Sequence, residues 1–255
     1  MQANILTSVM TQAVEHTPIT EVLLYVLIPM AAIVAGGILA SFMIPGPVFT
    51  STVQHFAAGV VFFAVAVELL PKMLHEKEPI AIIIGFTVGV VLMLIIKKFA
   101  EGAEGIEEGT KQPTSLLITV AIDVSIDGLL VGLGFAAGGR EGVLLTVALG
   151  IEIFFLGLAT SSALSRAKVS RQKAILLHLG LSLLIGIGGV LGATLLGGLS
   201  GAVLEVFLAF GVAALMFLVT EELLVEAHKE HDTIFGTAMF FVGFMLFLLI
   251  SLVSS

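Results

Sequence analysis

The chain has no cysteine and little charge, with eleven Lys+Arg and nineteen Asp+Glu among 255 residues, or 12%. The first absence excludes disulfides and thiolate metal sites. The second argues against a water-soluble globule, whose composition runs to about 25% charged residues. Basic charge is the scarcer sign, and the formal net charge is −8. No basic stripe is available to meet a nucleic-acid backbone, so nucleic acid is not an expected partner. No window has the glycine-rich spacing of a nucleotide-phosphate loop. The opening residues MQANILTSVM hold no positive charge, and the first charged side chain is Glu15. They do not resemble a cleavable signal peptide, so the first long apolar block is expected to act as the targeting signal.

What is abundant is apolar. Hydrophobic residues make up 58% of the chain, and they fall in blocks of about 17 to 27, long enough to cross a hydrocarbon core of roughly 30 Å. Blocks bounded by charges, turn residues and polar clusters predict eight spans, at about 22–43, 53–73, 80–97, 114–137, 142–164, 174–197, 201–224 and 234–254. None alternates with period two, and lipid admits only helices or closed barrels as spanning structures. The expected fold class is therefore all-α, a polytopic membrane protein of eight transmembrane helices in one domain, residues 1–255.

An even number of spans puts both termini on one side. Lys72, Lys77 and Arg140 share that side, while the other holds the remaining eight of the eleven basic residues. The excess of Lys and Arg marks the cytoplasmic face, so both termini are expected outside a plasma (inner) membrane, with lipid as the surrounding partner. The one sizeable internal loop, about 98–113, reads KFAEGAEGIEEGTKQP. It is either a solvated linker or a cation-gathering segment through Glu101, Glu104, Glu107 and Glu108. GxxxG spacings at Gly85/Gly89, Gly134/Gly138, Gly188/Gly192 and Gly197/Gly201 permit close helix contacts, although 28 glycines produce such spacings readily.

Against this background, carboxylates inside spans stand out, because each costs roughly 2.5–3.5 kcal/mol on insertion scales and commonly marks a site or pathway. Glu68 lies in span 2, Asp123 and Asp127 in span 4, and Glu152 in span 5. No Lys or Arg is expected at their depth, so a bound cation or protons must neutralise them. Asp123 and Asp127 are one helical turn apart and project from one face. Span 5 follows span 4 through the short turn AAGGREG, which brings Glu152 alongside them near mid-membrane. Such a cluster is a divalent-cation site or a proton relay, and structural acids bonded to serine or backbone are the third reading. Glu205, at the outer end of span 7, reads as interfacial.

His178, alone on an uncharged span, reads as a packed histidine. His55 begins span 2, and Glu221, Glu222, Glu226, His228, His231 and Asp232 crowd the far end of span 7. Most such groupings are a solvated helix end. His55, Glu222, Glu226 and His228 are carried as a candidate cytoplasmic exit path for metal or protons.

The segments bearing these residues resemble the ZIP family of divalent-metal transporters. HFAAGVVFFAVAVELLP (His55 to Pro71) is similar to the family's second helix. AIDVSIDGLLVG and ALGIEIFFLGLA align with its H-N-x-P-E-G and H-E-x-P-E-G helices, and TEELLVEAH with its D-E-x-x-P-E-x-H stretch. Carried over by position, the resemblance implies a primary metal site at Glu68, Asp123, Asp127, Glu152 and Leu156, of which leucine cannot ligate. Its second metal would fall on Val124, Ile153, Leu156 and Gly189, none of which has a donor atom. The motif prolines are replaced by Ile126 and Phe155, so any kink in spans 4 and 5 must come from Ser125, Gly128 or Gly157.

The resemblance thus implies a transporter that moves a divalent metal toward the cytoplasm, with Zn, Mn or Fe as substrate, no separate cofactor, and a homodimer as a candidate assembly. All-oxygen ligands favour harder cations than imidazole does. The alternative is a proton- or monovalent-cation-coupled carrier on the same scaffold that has lost the divalent site. An intramembrane hydrolase is not expected, since Ser161 and Ser162 have no neighbouring histidine in this topology and no H-E-x-x-H occurs.

Overall fold

A computed structural model describes residues 19–43, 46–76, 78–104, 113–229 and 233–253. Among them no strand occurs, and eight helices are long and apolar enough to cross a membrane. They are α1 (Ile19–Phe42), α2 (Pro47–Phe63, continuing through Leu70–Glu76), α3 (Pro79–Glu104), α4 (Pro113–Ala137), α5 (Gly139–Arg166), α6 (Arg171–Leu196), α7 (Gly201–Phe217, continuing through Leu224–Ala227) and α8 (Ile234–Val253). Each expected span has its helix. The acidic loop starts later than expected, because α3 runs on to Glu104. Glu107, Glu108, His231 and Asp232 lie outside the described residues.

Two helices are interrupted. Residues Ala64–Leu69 of α2 and Leu218–Leu223 of α7 form π turns, in which the Leu70 and Leu224 N–H groups donate to the carbonyls of Val65 and Val219, five residues back. An added residue in a turn rotates everything beyond it by roughly 100° and commonly occurs at functional sites. Spans 4 and 5, where the missing prolines raised the question of kinks, run as uninterrupted α-helix.

Burial sorts the helices into centre and rim. About two thirds of the span window is buried in α2 (67%) and nearly as much in α5 and α7 (61% each), against 22% in α3 and α8. The rim presents Ile80, Phe99, Leu183 and Phe241 outward, as a lipid-facing surface requires.

The main helix pairs are α1 with α5, α4 with α6, α2 with α8 and α3 with α7, joined by α1 with α6 and α4 with α5. Exchanging α1 with α6, α2 with α7, α3 with α8 and α4 with α5 maps this set onto itself. The helices of each exchanged pair lie an odd number of crossings apart and so run in opposite directions. This is the pairing pattern of an inverted repeat, an arrangement whose sites lie at the repeat interface near the midplane. The α4–α5 pair exchanges with itself, and it carries three of the expected ligands.

Small residues let the backbones meet. Gly128 and Gly132 of α4 stand against Gly188 and Gly192 of α6. A Cβ on Gly59 of α2 would lie 1.9 Å from the Phe240 carbonyl oxygen of α8. His178 is fully packed, its ring nitrogens facing the Ala174 and Gly157 carbonyls at 2.8 and 3.1 Å, which ties α6 to α5.

Candidate metal-binding site

Helices α4 and α5 bring Asp123, Asp127 and Glu152 together, so that one carboxylate oxygen from each lies within 4.8 Å of the others. Donors to one cation at metal–oxygen distances of about 2.0–2.6 Å cannot be much farther apart than this. The acids reach one another because Asp123 and Asp127 share a face of continuous helix and α5 returns antiparallel through the turn at Gly138.

Asp127 and Glu152 are each 2% exposed, and their Oδ2 and Oε2 atoms are buried without a hydrogen-bond partner. Such atoms are costly to leave unmatched in an apolar interior, and a cation or a proton is the partner they lack. The surrounding helix faces are apolar. Val124 and Ile153, two of the positions that the resemblance assigned to a second metal, are fully buried, and Gly189 packs against Val26.

The fourth carboxylate facing this group comes from α7. Glu222 sits on the π turn Leu218–Leu223, is partly buried, and lies within electrostatic reach of Asp123, Asp127 and Glu152. Sequence reasoning placed it in the charged exit of span 7. The π turn changes its azimuth relative to the straight helix on which that reading depended. A signal was available in the repeated acid-Leu-Leu of the two interrupted helices, Glu68-Leu69-Leu70 and Glu222-Leu223-Leu224.

Glu68 does not join the trio. It is buried on the other π turn, where Ser251 of α8 donates to Oε1 at 2.9 Å and Arg140 Nη2 stands 3.8 Å away. Arg140 also donates to the Ser251 carbonyl at 2.9 Å, and Lys72 pairs with Glu141 alongside at 3.2 Å. The expectation that no basic group lies at the depth of the span acids therefore fails for Glu68. Arg140 is the one cation in the turn joining the two acid-bearing helices, and it reaches inward to it. Glu205 is fully buried rather than at a water-facing boundary.

At the end of the bundle that carries Lys97, Arg166 and Lys229, the remaining exit-path residues separate. His55 is buried and its ring meets that of His228 edge-on at 5.1 Å between centroids. Glu226 is exposed and pairs with Lys229. A cavity of about 300 Å³ opens beside them, lined among others by Ser51, Gln54, Phe155, Ser162, Arg166 and Glu226. Phe155, three residues beyond Glu152 on α5, is among the cavity's lining residues.

No protein-family model matches the chain, and no curated protein matches it either.

Proposed function

We propose that the protein carries a divalent metal cation across the membrane through one carboxylate site, formed by Asp123, Asp127 and Glu152 with Glu222 facing them. The observation that carries this reading is the convergence of three acids inside an apolar bundle, with Asp127 Oδ2 and Glu152 Oε2 buried and unmatched. The cation is substrate, not a resident cofactor. Carboxylate oxygens would replace part of its hydration shell, and rearrangement of the ligands would return it to water at the other side. The eroded ZIP motifs support the same reading, with Glu222 in the place that the resemblance gave to Glu68.

An all-oxygen ligand set suits Mn²⁺, Mg²⁺ or Ca²⁺ and still accommodates Fe²⁺ and Zn²⁺; among the transition metals that the resemblance implies, it favours Mn²⁺. The missing donors at Val124, Ile153, Leu156 and Gly189 favour one metal per site over a pair. By the excess of basic residues, the end with the cavity faces the cytoplasm, which makes the cavity the release vestibule and the direction inward.

The decisive experiment is uptake of Zn²⁺, Mn²⁺, Fe²⁺, Co²⁺, Mg²⁺ and Ca²⁺ into liposomes, with lumenal pH followed in parallel. Saturable divalent uptake that disappears in Asp123→Asn/Asp127→Asn is the expected result. Proton or Na⁺ movement with no divalent flux would replace this reading with the carrier that has exchanged its cargo. Two ions bound within about 4 Å of each other in a metal-soaked structure would overturn the single-ion site.

A further inference from the structure

His55 and His228 approach each other from α2 and α7, and neither belongs to the carboxylate trio. His55 Nδ1 lies 2.9 Å from the Ser51 carbonyl oxygen and His228 Nδ1 contacts that of Leu224. A carbonyl only accepts, so the contact of each Nδ1 is a donated hydrogen bond, and in the neutral form of His55 this leaves the lone pair on Nε2. Ligating histidines commonly show this arrangement, with one nitrogen anchored on a carbonyl and the other turned toward the metal.

Two further observations point the same way. His55 is 2% exposed and its Nε2 is buried without a hydrogen-bond partner, an acceptor kept dry with nothing to accept from. The ring centroids are 5.1 Å apart. Two imidazoles bound to one tetrahedral ion at metal–nitrogen distances of about 2.0–2.1 Å place their centroids roughly 5 Å apart. Ser51, Gln54, Glu226 and Lys229, which neighbour the two histidines in sequence, line the 300 Å³ cavity.

We propose that His55 and His228 bind a borderline transition-metal cation through their Nε2 atoms, with water completing its shell. The class is the one imidazole suits, Zn²⁺ or Co²⁺ rather than Mg²⁺ or Ca²⁺. Its role as a second station, taking the ion from the hard carboxylate site toward the cavity, rests on the transport reading above. Binding itself does not.

The test uses the full chain in detergent, with Co²⁺ as the probe, read by visible d–d absorption and by paramagnetic broadening of imidazole C–H resonances. Asp123→Asn/Asp127→Asn removes the carboxylate site and is expected to leave one Co²⁺ bound with broadened histidine signals. In that background, His55→Phe and His228→Phe keep a ring in place without its nitrogens, and each is expected to weaken Co²⁺ binding at least tenfold. Unbroadened histidines, or Phe variants that bind Co²⁺ as before, would reduce the pair to an edge-to-face packing contact. If His55→Phe does not yield monodisperse protein, His228→Phe at its exposed position decides alone. Retained Co²⁺ binding at the histidines with no divalent uptake by the unaltered protein would overturn the transport reading and leave this one standing.

Discussion

The π turns of α2 and α7 occupy exchanged positions in the helix pairing, and each carries a glutamate followed by two leucines. Their acids nevertheless meet opposite surroundings. Glu68 finds Ser251 at 2.9 Å and the Arg140 guanidinium at 3.8 Å, so its charge is met from within the protein. Glu222 instead faces three further acids, Asp123, Asp127 and Glu152, with Lys97 of α3 as the opposing charge. The same local device thus carries an acid that meets a serine and an arginine in one helix and an acid that meets other acids in the other. What separates them is the identity of the neighbouring side chains, not the backbone.

The comparison breaks most severely if the acids of α4 and α5 are not the centre. Asp123→Asn/Asp127→Asn should lower saturable divalent uptake more than 100-fold in liposomes while the protein stays monodisperse; uptake equal to wild type would remove the centre. Next in size is the contrast between the two glutamates. Glu222→Gln should raise the half-saturating metal concentration about tenfold, since a charged ligand-side group is worth on the order of 1.4 kcal/mol, and Glu68→Gln should change it much less. A reversed order in the uptake curves would return Glu68 to the site.

The Glu68 end yields a stability prediction. Arg140→Ala leaves a buried carboxylate with one partner fewer and should cost about 1–2 kcal/mol, discounted from the 3–5 of a fully buried pair because the arginine side chain is 43% exposed. Thermal unfolding in detergent measures this, and adding Glu68→Gln should recover most of the loss. A double variant no more stable than Arg140→Ala would show that the arginine acts through other contacts. The smallest effect belongs to Lys97→Gln. Its ion pair with Glu221 at 2.7 Å is solvent-exposed, so the loss should stay below about 1 kcal/mol. A shift as large as that of Arg140→Ala would mean that Lys97 supports the fold by more than an exposed ion pair.

Much of the architecture was legible in the sequence. All eight helices, and the closeness of Asp123, Asp127 and Glu152, follow from block length, helical spacing and a short turn. These are local quantities, and the bilayer's thickness and its lack of hydrogen-bonding partners leave little freedom in how they are met. Glu68, Arg140 and Glu222 were harder. Arg140 sits in a turn by sequence, yet a long side chain lets its charge act well inside the position of its Cα. Gly128 and Gly132 have the GxxxG spacing too, but spacing alone does not say which of 28 glycines will meet another helix.

By itself the sequence determined that this is a helical membrane protein with acids where lipid should forbid them. Both conclusions come from transfer free energies that add along the chain and need no knowledge of neighbours. The tertiary structure alone decided which acid meets an arginine and which faces the other carboxylates. That choice turns on which side chains the neighbouring helices bring to two equivalent π turns, a long-range quantity that hydropathy along the chain does not carry.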